Sequence, residues 1–138
     1  MSLAALTPRV RTIIICDEVS ASVTEDCVFT LEGVRYKLTA PSFPCRETLN
    51  VFLLLSSSRH GRYSGKMLIV NDRTDKTIRY VKFVAQFQDD NELLAIYIDF
   101  GDCVFPEAGR YNFQIPFSSG ESEVLKGEHP FNVQSDEE

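Results

Sequence analysis

Two neighbouring carboxylates, Asp17 and Glu18, follow the apolar run Ile13-Ile14-Ile15-Cys16. Polar groups just past a buried strand are a common place for binding or acid–base chemistry. A carboxylate dyad, however, needs both side chains on one side of the chain, and adjacent residues on extended backbone point apart. Asp17 is therefore expected to cap a short turn by accepting backbone N–H groups. Asp17 and Glu18 remain candidate binding residues, not a catalytic pair.

A thiolate nucleophile needs a base or a helix N-terminus to lower its pKa. Cys45 is a loop thiol after Phe43-Pro44, but His60 and His129 lie in no motif that would pair with it. No serine sits in a Gly-x-Ser-x-Gly elbow and no glycine-rich phosphate loop is present. The four cysteines, Cys16, Cys27, Cys45 and Cys103, form no Cys-x-x-Cys pair, so the close ligand spacing of a structural zinc site is missing. Cys16 and Cys103 end apolar runs and read as small buried hydrophobes. We assign no catalytic residue, no metal site and no cofactor from the sequence. The remaining candidate is a loop cluster, Arg59, Arg62 and Tyr63, whose charge suits an acidic partner. The plainer reading of those bases is cross-strand neutralisation on a solvated face.

These residues must be held by strands. No window of ten or more residues carries a capped helical stripe. Strand-like runs recur at 10–16, 28–38, 49–55, 63–70, 77–88, 93–104, 110–117, 122–125 and 130–134, separated by segments rich in Ser, Gly, Pro, Asn and Asp. Gly109 stands two residues before Tyr111, at the head of a run alternating Tyr111, Phe113, Ile115 and Phe117. That is the pattern of a tyrosine corner, in which a phenol clamps the backbone at the start of a sandwich strand. The fold implied is an all-β, single-domain antiparallel β-sandwich of eight or nine strands over residues 1–134, with an acidic disordered tail at 135–138.

One hairpin can be argued to register. The polar loop 89–92 would place Gln88 opposite Leu93, pairing Val81 with Phe100, Phe83 with Ile98, Ala85 with Ile96 and Phe87 with Leu94. Lys82 would then face Asp99, and Arg79 would face Asp102. Two other runs, 49–55 and 67–70, are apolar on both faces. Their second faces need a cover, either the chain's own loops and N-terminal segment or a second copy. Phe52, Leu54, Leu68 and Val70, or their alternates, are the candidate homodimer face.

Composition narrows the partners. The 138 residues are 43% hydrophobic with net charge −6, enough apolar material for one folded domain. The last 18 residues carry −5 and the remainder −1. A body this close to neutral disfavours nucleic acid, which calls for a basic surface. Within it, 59–82 carries +5 and 86–107 carries −6. The first six residues lack the basic start and apolar length of a secretion signal. No stretch approaches the ~20 apolar residues of a membrane helix. We expect a cytoplasmic protein, with no membrane association and reduced thiols.

Ile15-Cys16-Asp17-Glu18-Val19, Leu31-Glu32-Gly33-Val34 and Phe43-Pro44 resemble the opening of a family of short bacterial proteins classed as a domain of unknown function. Pro106-Glu107-Ala108-Gly109-Arg110-Tyr111-Asn112-Phe113 fits that family's closing part, so the resemblance touches most of the length. Where the family has a glycine-lysine turn, Thr24-Glu25-Asp26-Cys27 stands here. The resemblance implies a compact β domain and carries no catalytic residues. Taken together, the leading expectation is a non-enzymatic interaction or scaffold module with an unknown protein partner or a second copy. The alternative is a small-ligand or carbohydrate-binding sandwich using Tyr36, Tyr63 and Tyr97 as stacking surfaces, and an enzyme ranks third.

Overall fold

The computed structural model describes residues 8–119 and 122–136. Ten strands follow one another: β1 (Arg9–Cys16), β2 (Glu18–Ala21), β3 (Phe29–Glu32), β4 (Lys37–Ala40), β5 (Cys45–Ser57), β6 (Gly61–Asn71), β7 (Lys76–Phe87), β8 (Glu92–Phe105), β9 (Gly109–Ser119) and β10 (Ser122–Ser135). They form a three-stranded sheet ordered β1-β5-β8, a five-stranded sheet ordered β4-β10-β9-β6-β7, and the small hairpin β2-β3. Among the described residues every strand pair is antiparallel except β4 with β10.

The fold is the all-β sandwich expected, with one strand more than the upper count. The difference arises at turns. The run 28–38 breaks at Gly33, whose φ of +65° suits a residue without Cβ, and becomes β3 and β4. The polar stretch after Cys16 forms β2. The two short runs at the end merge into β10, with Lys126 as the extra residue of a bulge between Leu125 and Gly127. β10 ends at Ser135, and the Asp136 N–H donates to the Ala40 carbonyl, so the tail boundary placed at 134 falls inside paired backbone. Glu137 and Glu138, like the first six residues, lie outside the described residues.

The inner faces of the two sheets supply the core. Leu49, Val51, Leu53 and Leu55 alternate inward from β5, and Tyr111, Phe113, Ile115 and Phe117 from β9, all essentially fully buried. Phe113 stacks on Phe131 at 4.7 Å, and Phe105 meets the Tyr111 ring edge-on at 5.0 Å. The Tyr111 hydroxyl donates to the Glu107 carbonyl at 2.8 Å. Gly109 between them has φ +150°. This is the tyrosine corner read from the sequence, and burial raises the phenol's pKa, which keeps it a donor.

The argued hairpin is a correction. β7 pairs with β6, from Gly61 opposite Phe87 to Ile69 opposite Arg79, and β8 pairs with β5. Lys82 faces Lys66, and Asp99 faces Asn50 on the other sheet. Residues 88–91 therefore arch from one sheet to the other, with the Glu92 carboxylate accepting the Gln88 and Asp89 N–H groups. The inward rows were read correctly: Ala85, Phe87, Ile98 and Phe100 are buried, and Val81, Phe83, Leu94 and Ile96 pack against them. They meet across the core instead of side by side. Arg79 spans the gap by donating from Nε to the Phe100 carbonyl, not to Asp102.

Candidate functional site

Asp17 sits where β1 hands over to β2, and its groups are all engaged. Its N–H donates to the Glu32 carbonyl at 2.8 Å. Its carboxylate accepts Arg35 Nε at 2.8 Å and Nη2 at 3.1 Å. Its carbonyl accepts Asn50 Nδ2 at 2.6 Å, and Asn50 Oδ1 accepts the Tyr97 hydroxyl at 2.7 Å. The expected turn-capping role gives way to this chain because a guanidinium fork suits a carboxylate better than scattered backbone N–H groups. Gly33 makes room for it: a Cβ there would lie 2.2 Å from Asp17 Oδ2. The Arg35 bond holds the Asp17 carboxyl below the usual carboxylate range, more strongly than desolvation raises it. Glu18 is exposed and stands directly opposite Glu32 in β2-β3. It takes no part.

This chain ties the β2-β3 hairpin beside the outer face of the three-stranded sheet. Phe29 of β3 meets Phe52 of β5 edge-on at 5.4 Å. Beyond that contact the face stays uncharged and mostly apolar. Register places Ile14, Phe52 and Tyr97 in one row and Thr12, Leu54 and Ala95 in the next, ending at Ser56 and Leu93. Phe52 and Leu54 are half-buried, Tyr97 is 47% exposed and Leu93 is 63% exposed. The strip is bounded by Arg11, which donates to Ser56 Oγ, and by Asp99, which accepts the Gly101 N–H.

Arg59, Arg62 and Tyr63 lie at the opposite end of the sandwich from Asp17, since β5 runs from Asn50 beside Asp17 to Ser57 beside Arg59. The five sequence-nominated residues therefore form two separate groups. Tyr63 works as a strut: its hydroxyl donates to the Arg59 and His60 carbonyls, and its ring meets Phe87 at 6.0 Å. Arg62, next in sequence, points to the other side of β6. His60 binds Asp90 across the two loops, through its N–H at 2.8 Å and Nδ1 at 2.7 Å. The backbone N–H of His60 leads in holding the Asp90 carboxyl below its usual range.

Three of the four thiols are less acidic than a free cysteine. Burial pushes Cys103 up to about 11 and also raises Cys16 and Cys45. All four cysteines are free. Among the described residues, no group of three or more His, Cys, Asp or Glu is placed to hold a metal ion, and no helix is long and apolar enough to cross a membrane. Sequence reasoning missed Arg35 and Asn50. It also missed Asn71, Arg73 and Glu107, which pin the β6-β7 turn onto the β8-β9 turn: Glu107 Oε1 accepts Asn71 Nδ2 at 3.0 Å and Arg73 Nη2 at 2.7 Å. The Arg73 bond lowers the Glu107 pKa. The signal available for Asn50 was a lone amide inside an otherwise apolar run.

Two pairs on the outer faces correct the homodimer set. Phe52 and Leu54 belong to the strip just described, while Leu68 is on the other sheet and Val70 is buried. They share no face.

No protein-family model and no curated protein matches this chain. Among solved structures, it is similar to a glycosyl hydrolase family 2 member from Bacteroides cellulosilyticus, with TM-score 0.50 and 11% identity. The match covers 65% of this chain and 13% of that one, so the present chain spans about an eighth of its length. A likeness at that identity shows a shared β-sandwich architecture and nothing of activity.

Proposed function

We propose that this chain is a non-enzymatic interaction module that works through the outer face of its three-stranded sheet, with a second copy of the chain as partner. The observation that carries this is the uncharged strip of Ile14, Phe52, Leu54, Ala95, Tyr97 and Leu93, left partly open beside the β2-β3 hairpin. An uncharged strip is self-complementary: two copies can meet about a two-fold axis without like charges facing one another. Burial of such a patch is the ordinary reason a sheet keeps apolar side chains outward.

The carbohydrate-binding alternative has the exposed rings of Tyr36 and Tyr97 behind it. Tyr63 does not join them, being committed to its own loop. Four of the shallow surface depressions, of 460–580 Å³, have linings without Tyr36, Tyr63 or Tyr97.

Sedimentation across a wide concentration range tests the proposal. The expected result is a monomer–dimer equilibrium for the native chain and a folded monomer for Leu54→Lys. A native chain that stays monomeric at high micromolar concentration discards it.

A further inference from the structure

β7 is an edge strand. Among the described residues it pairs only with β6, and the ladder runs unbroken from Arg79 to Phe87 before the bulge at Ile78. Every second residue of such an edge turns its N–H and C=O away from the sheet, a template for one more strand. Edges of this kind are usually guarded by charge, and Lys76, Arg79 and Lys82 recur here every third residue.

These guards differ from the five bases that are held in ion pairs. Arg35, Arg46, Lys66, Arg73 and Arg110 each face a carboxylate. Among the described residues, Lys76, Arg79 and Lys82 have no such ion pair, and Arg79 spends only Nε on a carbonyl. Lys82 stands opposite Lys66, a like-charge pair that costs stability on a sheet unless an anion joins it. One anion already does: Glu123 reaches Lys66 at 3.1 Å from β10, in a depression also lined by Lys82 and Val84. Lys82 is flanked on the same face by Tyr80, 55% exposed, and Val84, 44% exposed. A second depression beside Tyr80 is floored by Lys66 and Leu68.

The geometry points to β7 as the docking edge for an extended acidic segment of another protein, added as a sixth strand to the five-stranded sheet. Backbone hydrogen bonds supply its affinity, apolar side chains meet Tyr80 and Val84, and carboxylates meet Lys82 and Arg79. Two copies joined β7 to β7 would not fit, because that pairing sets bases against bases. The inference rests on the reading of the chain as an interaction module, but it uses a different surface.

The test uses the full chain and a fluorescent nine-residue peptide of valine and threonine carrying two glutamates three residues apart, with a lysine-for-glutamate control. We expect saturable binding of the acidic peptide, weakened by salt, with amide shifts concentrated at residues 79–87. Lys82→Glu, on an exposed side chain, should weaken it about tenfold, and the control should not bind. The edge is excluded by no binding at millimolar peptide, by unchanged affinity in Lys82→Glu, or by shifts confined to β1, β5 and β8. Equal binding of a single-stranded oligonucleotide would instead assign the bases to nucleic acid and overturn the proposal. Sedimentation of Lys82→Glu separates the two readings, since dimerisation through the other sheet is untouched by it.

Discussion

β5 and β6 look alike in sequence, each with a stretch apolar on both faces, and they end in different surroundings. Outward from β5, Phe52 and Leu54 find apolar neighbours on both sides, Ile14 from β1 and Ala95 and Tyr97 from β8. Outward from β6, Leu68 lies between Tyr80 of β7 and Gln114 of β9, one residue row from the Lys66–Lys82 pair. One sheet therefore carries an uncharged strip and the other a charged groove. A strand contributes a single column to a face. Whether the face is sticky or solvated depends on the columns beside it, which come from distant parts of the chain.

The sharpest way to break this comparison is to test inward against outward. Phe113→Ala, beneath the five-stranded sheet, should cost roughly 3–5 kcal/mol, and Leu68→Ala on its outer face about 1 or less. Urea denaturation reads both, and equal losses would mean that the two faces of the five-stranded sheet are wrongly assigned. Next comes the tie between strip and hairpin. Asn50→Ala strips a partner from the Asp17 carbonyl and from the Tyr97 hydroxyl, an expected loss of about 1–3 kcal/mol. Hydrogen exchange at residues 18–21 and 29–32 should accelerate in that variant; unchanged protection would show that the hairpin stands without the amide.

The smallest effect sharpens the same tie through pH. The folded-state pKa of Asp17 is lowered, so its pairing stabilises above the unfolded pKa and is lost as pH falls through the lower folded value. The window lies below about pH 4. Both partners are about half exposed, so the contribution is at most about 1 kcal/mol. Acid titration of the native chain against Arg35→Ala should show that component only in the native chain. Parallel curves would assign it to another carboxylate.

What could be read from the sequence was whatever a single strand carries within itself. The inward rows of β7, β8 and β9 and the Gly109–Tyr111 corner are alternation and local turn chemistry, and both are present in the structure. Pairing was not legible in the same way. Two strands with matching apolar rows satisfy a hairpin and a cross-core arch equally well, so Phe83 and Ile98 could be placed in the core without revealing which sheet held each. The Asp17–Arg35 fork was hidden for a related reason. It depends on Gly33 turning the chain back on itself, which local sequence suggests only as a break in a strand.

The parallel contact of β4 with β10 has a meaning in time. As the chain leaves the ribosome, the sheet of β1, β5 and β8 has all its strands once residue 105 has emerged. β4 emerges early, by residue 40, and its partner strand among the described residues ends at residue 135. Until then it is an unmatched strand. Pairings this distant in sequence close slowly, because the intervening loop must be ordered first. The second sheet is thus finished by the last strand to arrive, and a chain cut short in β10 would expose the edges of β4 and β9 together.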